Sequence, residues 1–320
     1  MSNSVLINNV AEKIKKNKSE DLLFPHGYKI SIALATFNGQ NYIEEQLYSI
    51  LNQTIIPFEI IICDDNSTDE TLTIIENIAK SNPMIKVFVN QDTLGVNLNF
   101  QKAITLCKGD YIALSDQDDI WKPEKLITQL ESILKFKDNS EKGLLSVHDL
   151  STISSRGELQ LQSIYRNRIN NIMPRHTLLF ANNYWGCTMM FNSALKKLIL
   201  PFPKEIHTHD HWIALNAFCC GQIITIEEQL IYYRRHDANF SPLNINHKSN
   251  LLIRIPQYFT TIFKKDYYQK EIIQLKALND RNKVSINLKL KKYIQSVVNL
   301  SSKINLMRKI RFTILYRLKI

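Results

Sequence analysis

Three aspartates fall within four positions where an apolar run ends: Ile112-Ala113-Leu114-Ser115 leads into Asp116-Gln117-Asp118-Asp119. Carboxylates this close repel one another and raise each other's pKa unless a cation or hydrogen-bond donors sit among them. A hard divalent ion is the natural guest, because Mg²⁺ takes one or two protein carboxylates and fills its shell with water and phosphate oxygens. The cluster therefore points to a metal and a phosphorylated ligand together, with a solvated acidic turn as the plain alternative. A further acid stands in Thr208-His209-Asp210-His211-Trp212. It opens an apolar segment, 213–220, that suits a helix, so Asp210 lies at a helix N-terminus, whose dipole favours the ionised form that a general base needs. His207, His209 and His211 alternate there, and on a strand they would share a face and suggest zinc. The helical character just beyond them, and the lack of an HExxH pattern or a cysteine partner, weigh against that reading. Tyr232-Tyr233-Arg234-Arg235-His236 ends another expected strand; its cations can neutralise a departing diphosphate or can form a surface charge pair.

The elements that must position these residues can be read from periodicity. Residues 29–35 form an apolar strand, and Thr36-Phe37-Asn38-Gly39 a turn. Asn41 can cap a helix whose apolar positions are Ile43, Leu47, Ile50 and Leu51. The unit then repeats: strand 58–63, polar loop Asp64-Asp65-Asn66-Ser67-Thr68-Asp69, helix 71–79; strand 85–89, a turn at Gly95, helix 97–107; strand 111–115, the acidic cluster, and a helix opened by Pro123. Later, Trp185-Gly186-Cys187-Thr188-Met189-Met190-Phe191 reads as a strand entering the core. Strands alternating with helices over short connections imply a mostly parallel sheet covered on both faces. Ligands in such sheets bind beyond the carboxyl ends of the strands, where the loops after the first, second and fourth strands converge. There is no GxGxxG after the first strand and no GxxxxGK[ST] motif. A diphosphate must then be met mainly by a metal rather than by a glycine-rich cradle.

Composition sets the frame for that site. The 320 residues are 44% hydrophobic and 22% charged, which accommodates one large domain with an appendage or two domains. The five cysteines show no CxxC spacing and suit buried reduced thiols in a cytoplasmic protein. No signal-peptide pattern and no uncharged apolar run of membrane-spanning length is read. The formal charge of +10 is concentrated near the C-terminus, where residues 248–320 carry 17 Lys and Arg against Asp266, Glu271 and Asp280. Its basic patches alternate with apolar residues such as Ile304, Met307, Ile310, Ile314 and Leu318, and suit peripheral contact with an anionic membrane better than a specific nucleic acid, for which no binding module is read.

Ser31-Ile32-Ala33-Leu34-Ala35-Thr36-Phe37-Asn38, Ile61-Ile62-Cys63-Asp64-Asp65-Asn66-Ser67-Thr68-Asp69-Glu70-Thr71 and Leu114-Ser115-Asp116-Gln117-Asp118-Asp119 resemble the donor half of inverting family 2 glycosyltransferases with the GT-A fold. The resemblance continues through Trp121-Lys122-Pro123-Glu124-Lys125-Leu126 and covers about 29–239. It implies an α/β, Rossmann-like, mixed and mostly parallel sheet flanked by helices. It divides the chain into a polar extension (1–28), a catalytic domain (29–245, with a donor half 29–122 and an acceptor half 123–245) and a basic helical tail (246–320). It implies that Thr36 and Asn38 line the nucleotide site, Asp65 bonds the nucleobase, Asp116 faces ribose or sugar, Asp118 holds Mg²⁺ or Mn²⁺ on the diphosphate, and Asp210 is the catalytic base. Arg234 and His236 resemble the YRxH ending of the rhamnosyltransferase-like branch. Two positions depart from the family pattern: Gln117 replaces a small residue, and His209 replaces the acid often found before the base. The expected reaction moves a sugar, first rhamnose from dTDP-rhamnose and second a hexose from a UDP-sugar, to a lipid-linked or growing bacterial surface glycan. A non-catalytic glycan- or nucleic-acid-binding protein is the alternative from another class.

Overall fold

The computed structural model describes residues 27–136, 141–164, 178–179, 182, 184–204, 206–237 and 269–280. The expected arm before residue 27, the basic patches at Lys264, Lys289 and Arg308, and the apolar spacing from Ile304 to Leu318 lie outside them. In chain order the described elements are β1 (Ile30–Thr36), α1 (Ile43–Leu51), β2 (Glu59–Asp64), α2 (Thr71–Ala79), β3 (Ile85–Val89), α3 (Val96–Leu106), β4 (Tyr111–Ser115) and β5 (Ile120–Trp121). They continue with α4 (Lys125–Leu134), β6 (Gly143–Ser154), β7 (Leu159–Leu161), β8 (Met189–Asn192), α5 (Ser193–Ile199), α6 (His209–Cys220), β9 (Gly221–Arg235) and α7 (Gln269–Asp280).

One sheet joins all the strands in the order β3-β2-β1-β4-β8-β6-β9-β5, with β7 paired to β6. Its first four strands are parallel, as the repeated strand-helix unit requires. Beyond β4 the sheet is mixed: β8 runs antiparallel to both β4 and β6, β9 parallel to β6, and β5 antiparallel to β9. The central strands bury both faces, so their sequences are continuously apolar instead of alternating with polar residues. Ala33, Ile61, Ile112 and Phe191 face Phe100 of α3, Trp212 of α6, and Leu275 and Leu278 of α7. Ile32, Leu34, Ile62 and Ala113 face Leu47 of α1, Ile75 of α2 and Leu130 of α4. All five cysteines are free, four of them buried.

Two local expectations change. Tyr42, not Asn41, holds the N-cap position of α1, without a side-chain cap bond; the Gly39 carbonyl instead accepts the Tyr42 and Ile43 N–H groups, both at 3.0 Å. The apolar run through Cys187 is not strand from its start. Thr188 turns back onto the Trp185 carbonyl through its N–H at 3.0 Å and its hydroxyl at 2.8 Å, so Gly186–Thr188 is a 3-10 turn and β8 begins only at Met189.

Candidate active site

The parallel register places Thr36 beside Asp64 and Leu34 beside Ser115, so the loops after β1, β2 and β4 start side by side on one edge. The first and third are joined by Gln117. Its Oε1 accepts from the Thr36 hydroxyl at 2.6 Å and from the Phe37 N–H at 2.8 Å, and its Nε2 donates to the Phe37 carbonyl at 3.0 Å. Gly39 leaves room for that amide, since a β-carbon there would lie 2.4 Å from Gln117 Oε1. The first and second loops are joined by Asn38, which adopts a left-handed backbone with φ 48°. Its N–H donates to Ser67 Oγ at 2.9 Å, and its Oδ1 accepts from the Thr68 N–H at 2.9 Å. Ser67 is itself held by Asp64 through its N–H at 2.8 Å and its hydroxyl at 2.6 Å. Thr36 and Asn38 thus stand on the expected rim, with polar side-chain atoms bonded to neighbouring loops.

Asp65 is buried behind this rim. Its carboxylate accepts from Asn90 Nδ2 at 2.7 Å and from the N–H groups of Leu94 and Gly95, both at 2.8 Å. The loop after β3 is therefore fixed to the loop after β2. Beside it lies a cleft of about 440 Å³ lined by Val89, Asn90, Gln91, Asp92, Leu94 and Lys102. Phe37 projects from the same rim with 46% of its surface exposed, a large apolar face in an otherwise polar setting.

The acidic cluster is tied to the end of β9, because β5 immediately follows it and pairs Ile120 with Tyr232. His236 Nε2 lies 2.8 Å from Asp118 Oδ2. Arg234 donates through Nε to the Asp118 carbonyl at 3.0 Å, through its N–H to Asp119 Oδ1 at 3.3 Å, and through Nη2 to Glu45 Oε2 at 2.5 Å. Tyr42 stacks on His236 with ring centres 4.8 Å apart, and the Arg234 guanidinium lies 5.0 Å from the same ring. Arg234 is 3% exposed, so it is not a surface charge, although its ion-pair partner Glu45 reaches solvent.

Asp116, Asp119 and Cys187 bring ligand atoms within 4.8 Å of one another, the sole group with metal-binding spacing among the described residues. Asp118, which the family resemblance assigns to the metal, lies beside this group with one oxygen engaged by His236. Asp119 is buried, and its Oδ2 has no hydrogen-bond partner. Burial first, and then the charges of Asp118 and Asp210, push the Asp116 carboxyl up to about 7, against a bond from Cys187. Burial and the charges of Asp118 and Asp116 likewise raise Asp119. Crowded carboxylates with a vacant buried oxygen are a donor set that a hard divalent cation would relieve, so the residues present fit Mg²⁺ or Mn²⁺. Behind them Lys125 is fully buried, with Nζ 3.0 Å from Gln129 Oε1 and 3.7 Å from the centre of the Trp121 ring. Burial lowers its ammonium to about 7, opposed by Cys187 and Asp119.

Asp210 occupies the first turn of α6, where its Oδ1 accepts the His211 N–H at 2.7 Å. Its charge acts on Asp116, so the cluster and the helix start face one site. The three histidines diverge. His209 is buried, stacks on Phe100 with ring centres 4.0 Å apart, and has no partner at either ring nitrogen. A β-carbon on Gly186 would lie 2.7 Å from its Nε2. His211 Nε2 meets the Leu178 carbonyl at 2.6 Å, and the His207 and His211 ring centres are 6.5 Å apart. They do not form a zinc group among the described residues. Tyr42, Glu45 and Lys125 are site neighbours to which sequence reasoning gave no role, and Gln117 entered it only as a departure from the family's small residue; the close approach of Gly39 to its amide is visible in the structure alone.

Residues 31–199 match the model of glycosyl transferase family 2. A glycosyltransferase of Haemophilus influenzae, itself uncharacterized, is 28% identical over 235 residues, covering 69% of each chain. Chondroitin synthase of Escherichia coli is 30% identical over 192 residues, covering 58% of this chain but only 27% of that much longer one. The crystal structure of Staphylococcus aureus TarS 1–349 with UDP-GlcNAc superposes with a TM-score of 0.58 at 18% identity, over 84% of this chain and 71% of that chain. The likeness shows the fold, a mixed and mostly parallel α/β sheet of GT-A type. With the family matched over more than half of its length, the chain belongs to glycosyl transferase family 2 and is a glycosyltransferase.

Proposed function

We propose that this chain is a metal-dependent, inverting glycosyltransferase that moves a sugar from a nucleoside diphosphate to a hydroxyl of a growing or lipid-linked bacterial surface glycan. The observation that carries this reading is the position of Asp116, close enough to both Asp118 and Asp210 to respond to the charge of each. In this reading a donor site and a base adjoin without sharing a residue. Asp210, at the start of α6, takes the acceptor hydroxyl's proton as that oxygen forms a bond to the anomeric carbon. The bond from that carbon to the diphosphate breaks, and its electron pair leaves with the diphosphate. Asp116, Asp118 and Asp119 would hold Mg²⁺ or Mn²⁺, which when bound supplies Lewis-acid neutralisation of the diphosphate. His236 and Arg234 keep Asp118 in place. Thr36, Asn38 and Asp65 build the nucleotide rim, and the exposed Phe37 ring offers a base a face on which to stack.

The catalytic domain in this reading is 29–245, divided at 122 into donor and acceptor halves. For the donor, the structural neighbour bound to UDP-GlcNAc supports a UDP-linked sugar; dTDP-rhamnose rests on the sequence resemblance alone. A glycan acceptor is supported by the chondroitin synthase relative. None of the described helices is long and apolar enough to cross a membrane, and the basic residues of 248–320 suit peripheral contact with anionic lipid. Rates of donor hydrolysis and transfer across UDP- and dTDP-sugars, with Mg²⁺, Mn²⁺ or chelator, test the proposal. Turnover with one nucleotide class and loss with chelator are expected; full turnover without divalent metal would remove the role given to the acidic cluster.

A further inference from the structure

Helix α7 lies outside the family-matched residues 31–199, in sequence that reads as a basic tail, yet Leu275 and Leu278 are buried in the core beside α6. In the same helix Gln274 is fully buried. Its Oε1 accepts the His207 N–H at 3.0 Å, and its Nε2 lies 3.2 Å from His211 Nδ1. The two bonds bracket Asp210, one three residues before it and one on the residue after it. We propose that Gln274 is a positioning residue for the transfer reaction, holding the segment that carries Asp210 at the site; the proposal rests on the reading of Asp210 as the base.

The bonds have a fixed direction. A backbone N–H only donates, so the His207 contact sets the Gln274 oxygen toward residue 207 and its amino group toward His211. An amide nitrogen only donates, so His211 Nδ1 accepts. The proton of the neutral ring is then on Nε2, where the Leu178 carbonyl accepts it at 2.6 Å. The order runs from the chain before the base, through α7, to the chain after it, and has no slack for a rotated amide or the other tautomer. A segment held at both ends in this way keeps the carboxylate in place for an attack geometry in which a 1 Å displacement costs about 100-fold in rate.

The test compares full-length wild type with Gln274→Met, which keeps the volume and deletes both bonds, and with Gln274→Glu, whose carboxylate can still accept from His207. Transfer kcat is expected to fall about 100-fold in Gln274→Met and less in Gln274→Glu, with donor KM and Mn²⁺ affinity unchanged. Unchanged kcat, or a parallel loss of kcat, donor binding and melting temperature, would overturn the proposal. Nitrogen-15 NMR of the wild-type histidines supplies a readout that needs no variant to fold: Nε2-protonated His211 is expected, and an Nδ1-protonated ring would overturn it. Asp210→Asn run alongside separates the two readings. Retained transfer there sinks the base assignment, whereas an inactive Asp210→Asn with a fully active Gln274→Met sinks only the role of Gln274.

Discussion

The rim of loops after β1 and β2 and the side that carries Asp116, Asp119 and Asp210 are built in opposite ways. Around Thr36, Asn38, Asp64 and Asp65, each loop is bonded to the next by side chains that find partners within the protein. Among the described residues, the buried polar side-chain atoms without a partner all belong to residues 119–216, and three of these atoms stand at the site, on Asp119 and His209. Leaving such atoms unpaired costs about 1–3 kcal/mol each. In the proposed reading the rim recognises the nucleotide, and its bonds are already complete without it. The other side would receive a cation and an acceptor, and it carries unpaired buried polar atoms and crowded charge that such ligands would relieve.

Four experiments break or sharpen this contrast. The largest effect is expected from Asp210→Asn, which should lower transfer about 100- to 10,000-fold while calorimetry finds nucleotide affinity unchanged, because the rim does not depend on the base. Asp65→Ala is expected to act on the other region. With the anchors of Asn90, Leu94 and Gly95 gone, urea denaturation should show a loss of about 3 kcal/mol, and nucleotide binding should weaken. Gly39→Ala drives a methyl into the Gln117 amide and should cost about 1–3 kcal/mol; adding Gln117→Ala removes the obstacle, so a double-mutant cycle should return a clear coupling energy. The last experiment concerns Lys125 and is read as a pH slope. Its folded-state pKa is lowered to about 7, so the unfolded chain binds the extra proton between there and the ordinary lysine value of about 10.4, and this residue makes stability rise with pH across that window. Lys125→Met should flatten the rise in a series of melting curves; an unchanged slope would show the ammonium to be solvated.

Much of the donor half was legible in the sequence because its signals are local. Apolar runs of five to seven residues, each followed by polar loop residues, mark β1, β2 and β4, and the sheet edge follows from their parallel order. Asp118 and His236 could be named from motif alone, but not their bond, since it spans 118 positions of chain and depends on β5 pairing with β9. Arg234 read equally as a phosphate ligand or a surface charge, because burial is a tertiary property that a charged residue at a strand end does not announce. The same limit hid Gln274: a polar residue in a basic, weakly periodic stretch gives no sign that two of its neighbours enter the core. Nothing in the sequence marks Lys125, two residues after Pro123, as internal, and only tertiary packing makes it so.

The Gln117 amide has a consequence for kinetics. Since it already fixes the Phe37 backbone and the Thr36 hydroxyl, an arriving nucleotide does not have to order that loop, and the entropy of closure is absent from the binding step. Association should then follow a single exponential whose rate grows linearly with nucleotide concentration, without the plateau that a slow conformational step imposes. In the Gln117→Ala protein the loop would be released to sample other states, and a concentration-independent phase should emerge. The side chain that departs from the family's small residue would thus act less on how tightly the donor is held than on how promptly it is taken up.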